Sequence, residues 1–165
     1  MFQKIRSDLV AELNSVKLLL VNADSFGTNG HRSLIKNGLN GRSVEILREQ
    51  GVECVAFSGS KSEEISSVAE NLGIVLHEAV FEKEEFYTKM KAEYSLVDNE
   101  IALIFRDKDD LEIVKKVTFS VVTPDASLDV KAFSYYAAYG VGSHAVEEIA
   151  ELIIKAKRYP DGWSE

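Results

Sequence analysis

Lys17–Gly30, KLLLVNADSFGTNG, decides how the whole chain is read. A short apolar run, Leu18-Leu19-Leu20-Val21, leads directly into a polar cluster of Asn22, Asp24, Ser25, Thr28 and Asn29. A continuous apolar run of that length predicts a strand buried on both faces. Polar groups just past such a strand stand where α/β sheets place their ligands, beyond the carboxyl ends of the strands.

Outward from this stretch, apolar runs alternate with helical patterns. Phe2, Ile5, Leu9, Val10 and Leu13 predict a leading amphipathic helix within residues 1–15. After a polar connector with turn signals at Asn37-Gly38 and Asn40-Gly41, Arg42–Gln50 reads as a helix closed by Gly51. Strands are expected at Val52–Ser58, Ile74–His77, Glu100–Phe105 and Val117–Val122, with a short extended piece at Phe133–Ala138. Between them, Ser60 and Glu63 have capping-box spacing, and Ile65, Val68, Ala69 and Leu72 form one helical face. Lys83–Tyr94 is a helix with Phe86, Tyr87, Met90 and Tyr94 on one side, and Leu111–Lys115 is a short one. Ser143 is placed to cap a last helix whose inner face is Val146, Ile149, Ala150 and Ile153. Alternation of this kind predicts βαβ units, hence a three-layer, Rossmann-like α/β fold with a central parallel sheet and helices on both faces. The 165 residues fit one domain, residues 1–165, ending in a tail over 159–165 that carries Trp163.

Composition narrows the partners. The net charge of −8 argues against nucleic acid and anionic membranes. It also gives an anionic substrate no long-range attraction, so any phosphate site must be built locally. No run reaches transmembrane length, residues 1–15 do not read as a signal peptide, and the single cysteine, Cys54, reads as core packing. A cytoplasmic setting is therefore expected. His31, His77 and His144 lack metal-ligand spacing.

Four predicted strand ends and loops carry polar side chains: Asn22 with Asp24, Ser58, Lys83, and Arg106 with Asp107 and Asp110. Carboxylates, a hydroxyl and a lysine at one end of a parallel sheet suit phosphoryl transfer. Cations neutralise the phosphoryl oxygens there while a carboxylate attacks.

The order and spacing of these residues resemble the haloacid-dehalogenase-like (HAD) phosphatases. The closest resemblance is to the cap-less group that contains 3-deoxy-D-manno-octulosonate 8-phosphate phosphatase. The family's DxDGxxTDG is NADSFGTNG here, its T/S-G pair is Ser58-Gly59, its lysine is Lys83, and its GDDxxD is FRDKDD, Phe105–Asp110. The later GGxGAVRE corresponds to VGSHAVEE, Val141–Glu148. The start Asn22–His31 is also similar to the C-terminal domain of animal CMP-sialic acid synthetase (N-acylneuraminate cytidylyltransferase), for which the resemblance implies an assembly role.

The departures carry the functional expectation. The resemblance implies that the nucleophile position is Asn22, which has no anionic oxygen to attack phosphorus. Asp24 keeps the general acid/base position. Arg106 replaces a metal-ligating aspartate, leaving Asp107 as a weak metal candidate. Two unit charges 4 Å apart interact by about 4 kcal/mol at an effective dielectric of about 20, and a divalent ion facing a guanidinium would roughly double the repulsion. The expectation is a catalytically degenerate relative that binds phosphate or an acidic sugar through Ser58, Gly59, Lys83 and Arg106. In this picture Arg106 pairs with Asp24 or Asp107. No cofactor is expected, with Mg²⁺ required only if the site is functional. A homo-oligomeric or assembly role is expected, with Trp163 as an interface candidate. Two other readings stay open: an active sugar-phosphate phosphatase, and simple capping of strand and helix ends by Asn22, Asp24 and Ser58. Asp107 and Asp110 read equally as solvated loop charges, or Asp110 as a helix cap.

Overall fold

The computed structural model describes residues 7–26 and 41–163. The start of the leading helix, Thr28, Asn29, His31 and the polar connector lie outside the described residues. The elements run α1 (Ser7–Ser15), β1 (Leu18–Asn22), α2 (Arg42–Glu49), β2 (Glu53–Phe57), α3 (Glu63–Leu72), β3 (Val75–His77), α4 (Lys83–Tyr94) and β4 (Ile101–Phe105). They continue as α5 (Leu111–Val114), β5 (Phe119–Val122), α6 (Leu128–Lys131), β6 (Tyr136–Ala137) and α7 (Ser143–Arg158). Short 3-10 turns follow β1 at Ala23–Ser25 and β4 at Lys108–Asp110.

Among the described residues every strand pair is parallel, in the order β3-β2-β1-β4-β5-β6. β1 is central, and all five of its residues are buried. Period-two alternation sends Leu18 and Leu20 into one layer with Tyr87 and Met90 of α4. Leu19 and Val21 face the other layer, with Leu13 of α1, Leu47 of α2 and Val146 and Ile149 of α7. An unbroken leucine run is stable here only because helices cover both faces. The expected α/β architecture is therefore the one observed, and no large cap is inserted among the described residues.

The helix faces follow the sequence periodicity. Phe86, Tyr87 and Met90 are buried on α4, as are Val68, Ala69 and Leu72 on α3 and Val146, Ile149, Ala150 and Ile153 on α7. Gly41 holds the left-handed conformation at the start of α2, and a Cβ there would stand 2.5 Å from the Leu72 carbonyl oxygen. Gly73 closes α3 in the same left-handed conformation.

Three local expectations are corrected. The α3 cap is Ser62, whose hydroxyl accepts from Ile65 N at 3.3 Å, and not Ser60. Ser60 lies two residues too early, and its N–H donates to Ser58 Oγ instead. Ser143 is the first residue of α7 and makes no side-chain cap bond; its hydroxyl is buried with no partner among the described residues. β6 shrinks to two residues, because only Tyr136 and Ala137 align with β5. Trp163 packs against the core on the α7 side. No helix among the described residues is long and apolar enough to cross a membrane.

Cys54 lies on β2 and is buried, and burial pushes its thiol up to about 12. A thiolate is the reactive form. Cys54 is thus expected to resist thiol reagents in the native state at neutral pH and to react fully after denaturation, which a time course of reagent uptake measures.

Candidate functional site

Strand register brings the polar residues to one edge. Asn22 pairs with Phe57 across β1–β2, and Val21 with Ile104 across β1–β4. Asn22 ends β1, and Ser58 and Arg106 directly follow β2 and β4, so all three stand at the carboxyl edge of adjacent strands. The strand order reverses direction between β1 and β4, the topological switch point where open α/β sheets bind ligands.

Asn22 joins two hydrogen-bonded branches. Its Nδ2 donates to Asp110 Oδ2 at 2.6 Å, and its Oδ1 accepts from Asp24 N at 3.0 Å. The second bond caps the 3-10 turn over Ala23–Ser25, and Ser25 Oγ adds a bond of 2.7 Å to the Asn22 carbonyl. The capping reading is thus met at Asn22, which also bonds the buried Asp110.

In the first branch, Lys83 Nζ lies 2.9 Å from Asp110 Oδ1. The Asp110 side chain is 0% exposed and that of Lys83 18% exposed. Burial raises the Asp110 carboxyl above its ordinary range, while Lys83 and then Asn22 pull it back. Asp110 is thus neither a solvated loop charge nor a helix cap. Its side chain makes no cap bond to α5. Lys83 is the first residue of α4, so the helix itself delivers the ammonium to the site.

In the second branch, the Asp24 carboxylate accepts from Ser58 Oγ at 2.7 Å and from Gly59 N at 3.1 Å. The Ser58 hydroxyl also lies 3.0 Å from Ser60 O, but its single proton favours the shorter bond to the charged oxygen. Ser58 is fully buried and held in place from β2 by its backbone N–H on His77 O.

Arg106 forms a separate group. Its guanidinium is 31% exposed and lies 3.6 Å from Asp107 and 3.5 Å from Asp125. Of its two expected partners it meets Asp107 and not Asp24. The unforeseen partner is Asp125, in the turn after β5. These residues line an open cleft of about 340 Å³ with Lys108, Asp109 and Ser127.

Among the described residues the donor set does not suit a divalent cation. At position 22 an N–H group faces Asp110, whose charge is already matched by Lys83, and Asp107 is accompanied by a guanidinium. Hard cations take oxygen ligands. Among the described residues no group of three or more His, Cys, Asp or Glu side chains could hold a metal ion.

Sequence reasoning missed Asp110 as the buried hub. The signal was its place as the last aspartate of the FRDKDD segment.

The fold is that of the HAD-type phosphatases. The chain superposes on 3-deoxy-D-manno-octulosonate 8-phosphate phosphatase from Yersinia pestis with a TM-score of 0.79 at 19% identity, covering 98% of this chain and 94% of that one. The Moraxella catarrhalis phosphatase, solved in complex with magnesium, phosphate and a KDO molecule, gives 0.77 at 21% identity over 95% and 96%. The cobalt-bound Haemophilus influenzae enzyme gives 0.74 at 21% identity over 89% and 92%. No family model matches the sequence.

Proposed function

We propose that this chain binds a phosphate group, free or on an acidic sugar, at Ser58, Gly59 and Lys83, and forms no covalent phosphoenzyme. The observation that carries this is Asn22, whose two side-chain polar atoms are both committed, to Asp110 and to Asp24 N. An amide in that position offers phosphorus no anionic oxygen. The Ser58 hydroxyl and the Gly59 N–H already hold a carboxylate, so they are a working anion-binding pair. Arg106 stands at the rim of the same edge and would meet the remainder of a larger ligand. In this reading the pocket works without a metal, in the cytoplasm. The chain serves as a recognition or assembly module, as a homo-oligomer or beside a partner in acidic-sugar metabolism. The likeness of the Asn22–His31 segment to the CMP-sialic acid synthetase domain supports that role.

A second reading is an active, Mg²⁺-assisted sugar-phosphate phosphatase in which Asp24 serves as acid and base. The fold neighbours speak for it, since they are phosphatases, and one was solved in complex with magnesium and phosphate ions. The donor set of this chain speaks for the first.

One experiment separates the two. Inorganic phosphate is expected to raise the melting temperature, whereas Mg²⁺ leaves it unchanged. Incubation with p-nitrophenyl phosphate or 3-deoxy-D-manno-octulosonate 8-phosphate should release no phosphate above background. Mg²⁺-dependent release that disappears in Asp24→Asn would establish the second reading instead.

A further inference from the structure

We infer that Asp24 is a built-in competitor for the anion site, a side-chain latch that a ligand must displace before it can bind. This rests on the phosphate-binding reading above and specifies how that site is controlled. The Asp24 carboxylate places one oxygen on each donor of the pair, Oδ1 on the Ser58 hydroxyl and Oδ2 on the Gly59 N–H. That is the arrangement two oxygens of a phosphate would adopt. A phosphate and the carboxylate cannot both use the same two protons, and like charges cannot share so small a space without mutual repulsion.

The latch can move without moving the backbone. Asp24 N is anchored on Asn22 Oδ1, and the 3-10 turn is closed by the bond from Phe26 N to Ala23 O. Ser25 Oγ fixes the same turn to the Asn22 carbonyl. Opening is therefore a rotation of one half-buried side chain against a fixed frame. The two branches are also unequal. Asp110 has an ammonium beside it, whereas among the described residues the polar partners of the Asp24 carboxylate are the neutral Ser58 and Gly59 donors that a ligand would take. The arriving anion supplies the charge that the departing carboxylate removes, so the donors are never left bare.

The consequence is selectivity. A tethered carboxylate competes at high effective concentration. Simple carboxylates in solution gain nothing over it, while a dianionic phosphate with a third oxygen for Lys83 does.

The test measures the dissociation constant for inorganic phosphate by calorimetry in the full chain, in Asp24→Ala, in Asp24→Asn and in Ser58→Ala. Asp24→Ala is expected to bind phosphate about tenfold more tightly or better, the factor set when about nine-tenths of the molecules are latched. Asp24→Asn keeps the side-chain size and cannot accept from both donors, so it should shift in the same direction, and its Gly59 amide resonance should move even without phosphate. Ser58→Ala should weaken binding. If the full chain binds phosphate, Ser58→Ala weakens it, and both Asp24 variants bind no tighter, the latch is overturned while the anion site stands. If neither the full chain nor the Asp24 variants bind phosphate, the latch and the site fall together.

Discussion

Replacing Lys83 with methionine lowers stability by about 3–5 kcal/mol at neutral pH, the usual cost of stripping a buried charge of its partner. The side chain left behind is Asp110, which is fully buried. Methionine retains most of the stem, so the loss reports the charge and not the packing. The pH dependence carries the sign. Burial holds the Asp110 carboxyl above its ordinary range, and losing Lys83 removes the chief opposing influence. A carboxyl whose folded pKa is raised is penalised only when ionised. The penalty is therefore small below about pH 4, where Asp110 is protonated in both states, and grows as the pH rises from there through the raised folded value. Urea denaturation of the parent and Lys83→Met at pH 4 and pH 7.5 checks this. An equal loss at both pH values would mean that the ion pair contributes nothing.

Asn22→Asp has the second large effect. The amide nitrogen Nδ2 of Asn22 lies 2.6 Å from Asp110 Oδ2, and an aspartate puts an anionic oxygen in its place. The new side chain still accepts from Asp24 N, so the turn survives and only the electrostatics change. Two carboxylates in contact, with a lysine on Asp110 Oδ1 alone, repel by about 4 kcal/mol even at the effective dielectric of about 20 that suits such pairs. One of the two pKa values is then driven up strongly. Stability in chelator-containing buffer should fall by about that amount at pH 7.5 and recover as the pH is lowered and the pair takes up a proton. Mg²⁺ should restore part of the loss in Asn22→Asp while leaving the parent unchanged, because only the variant offers two facing carboxylates to a hard cation. Thermal melts with and without Mg²⁺ decide it. A variant as stable as the parent in chelator would show that Asn22 does not face Asp110.

Asn22 and Asp110 also mark where one-dimensional reading stops. The apolar runs at Leu18–Val21, Cys54–Phe57 and Ile101–Phe105 are local signals, and each is a buried strand. The helix faces at Val68–Leu72 and Phe86–Met90 are equally local, since one helical turn brings such residues together whatever the rest of the chain does. Capping was less legible. Ser58, Ser60 and Ser62 all precede the same helix, and which hydroxyl meets a free N–H depends on where the chain turns in space. Lys83 and Asp110 stand far apart in sequence, as do Asn22 and Asp110, so no spacing rule joins them.

Local signals in the chain specify the α/β class, the parallel sheet and the positions at its carboxyl edge, Asn22 among them. These follow from short-range periodicity and from residue identity. The partners come from the folded arrangement: Asp110 as the buried counter-ion of Lys83, Asp125 beside Arg106, and Asp24 on Ser58 and Gly59. Hydrogen bonds and ion pairs act over about 3 Å, and which groups come that close is settled by strand order and register across the sheet, not by neighbours along the chain.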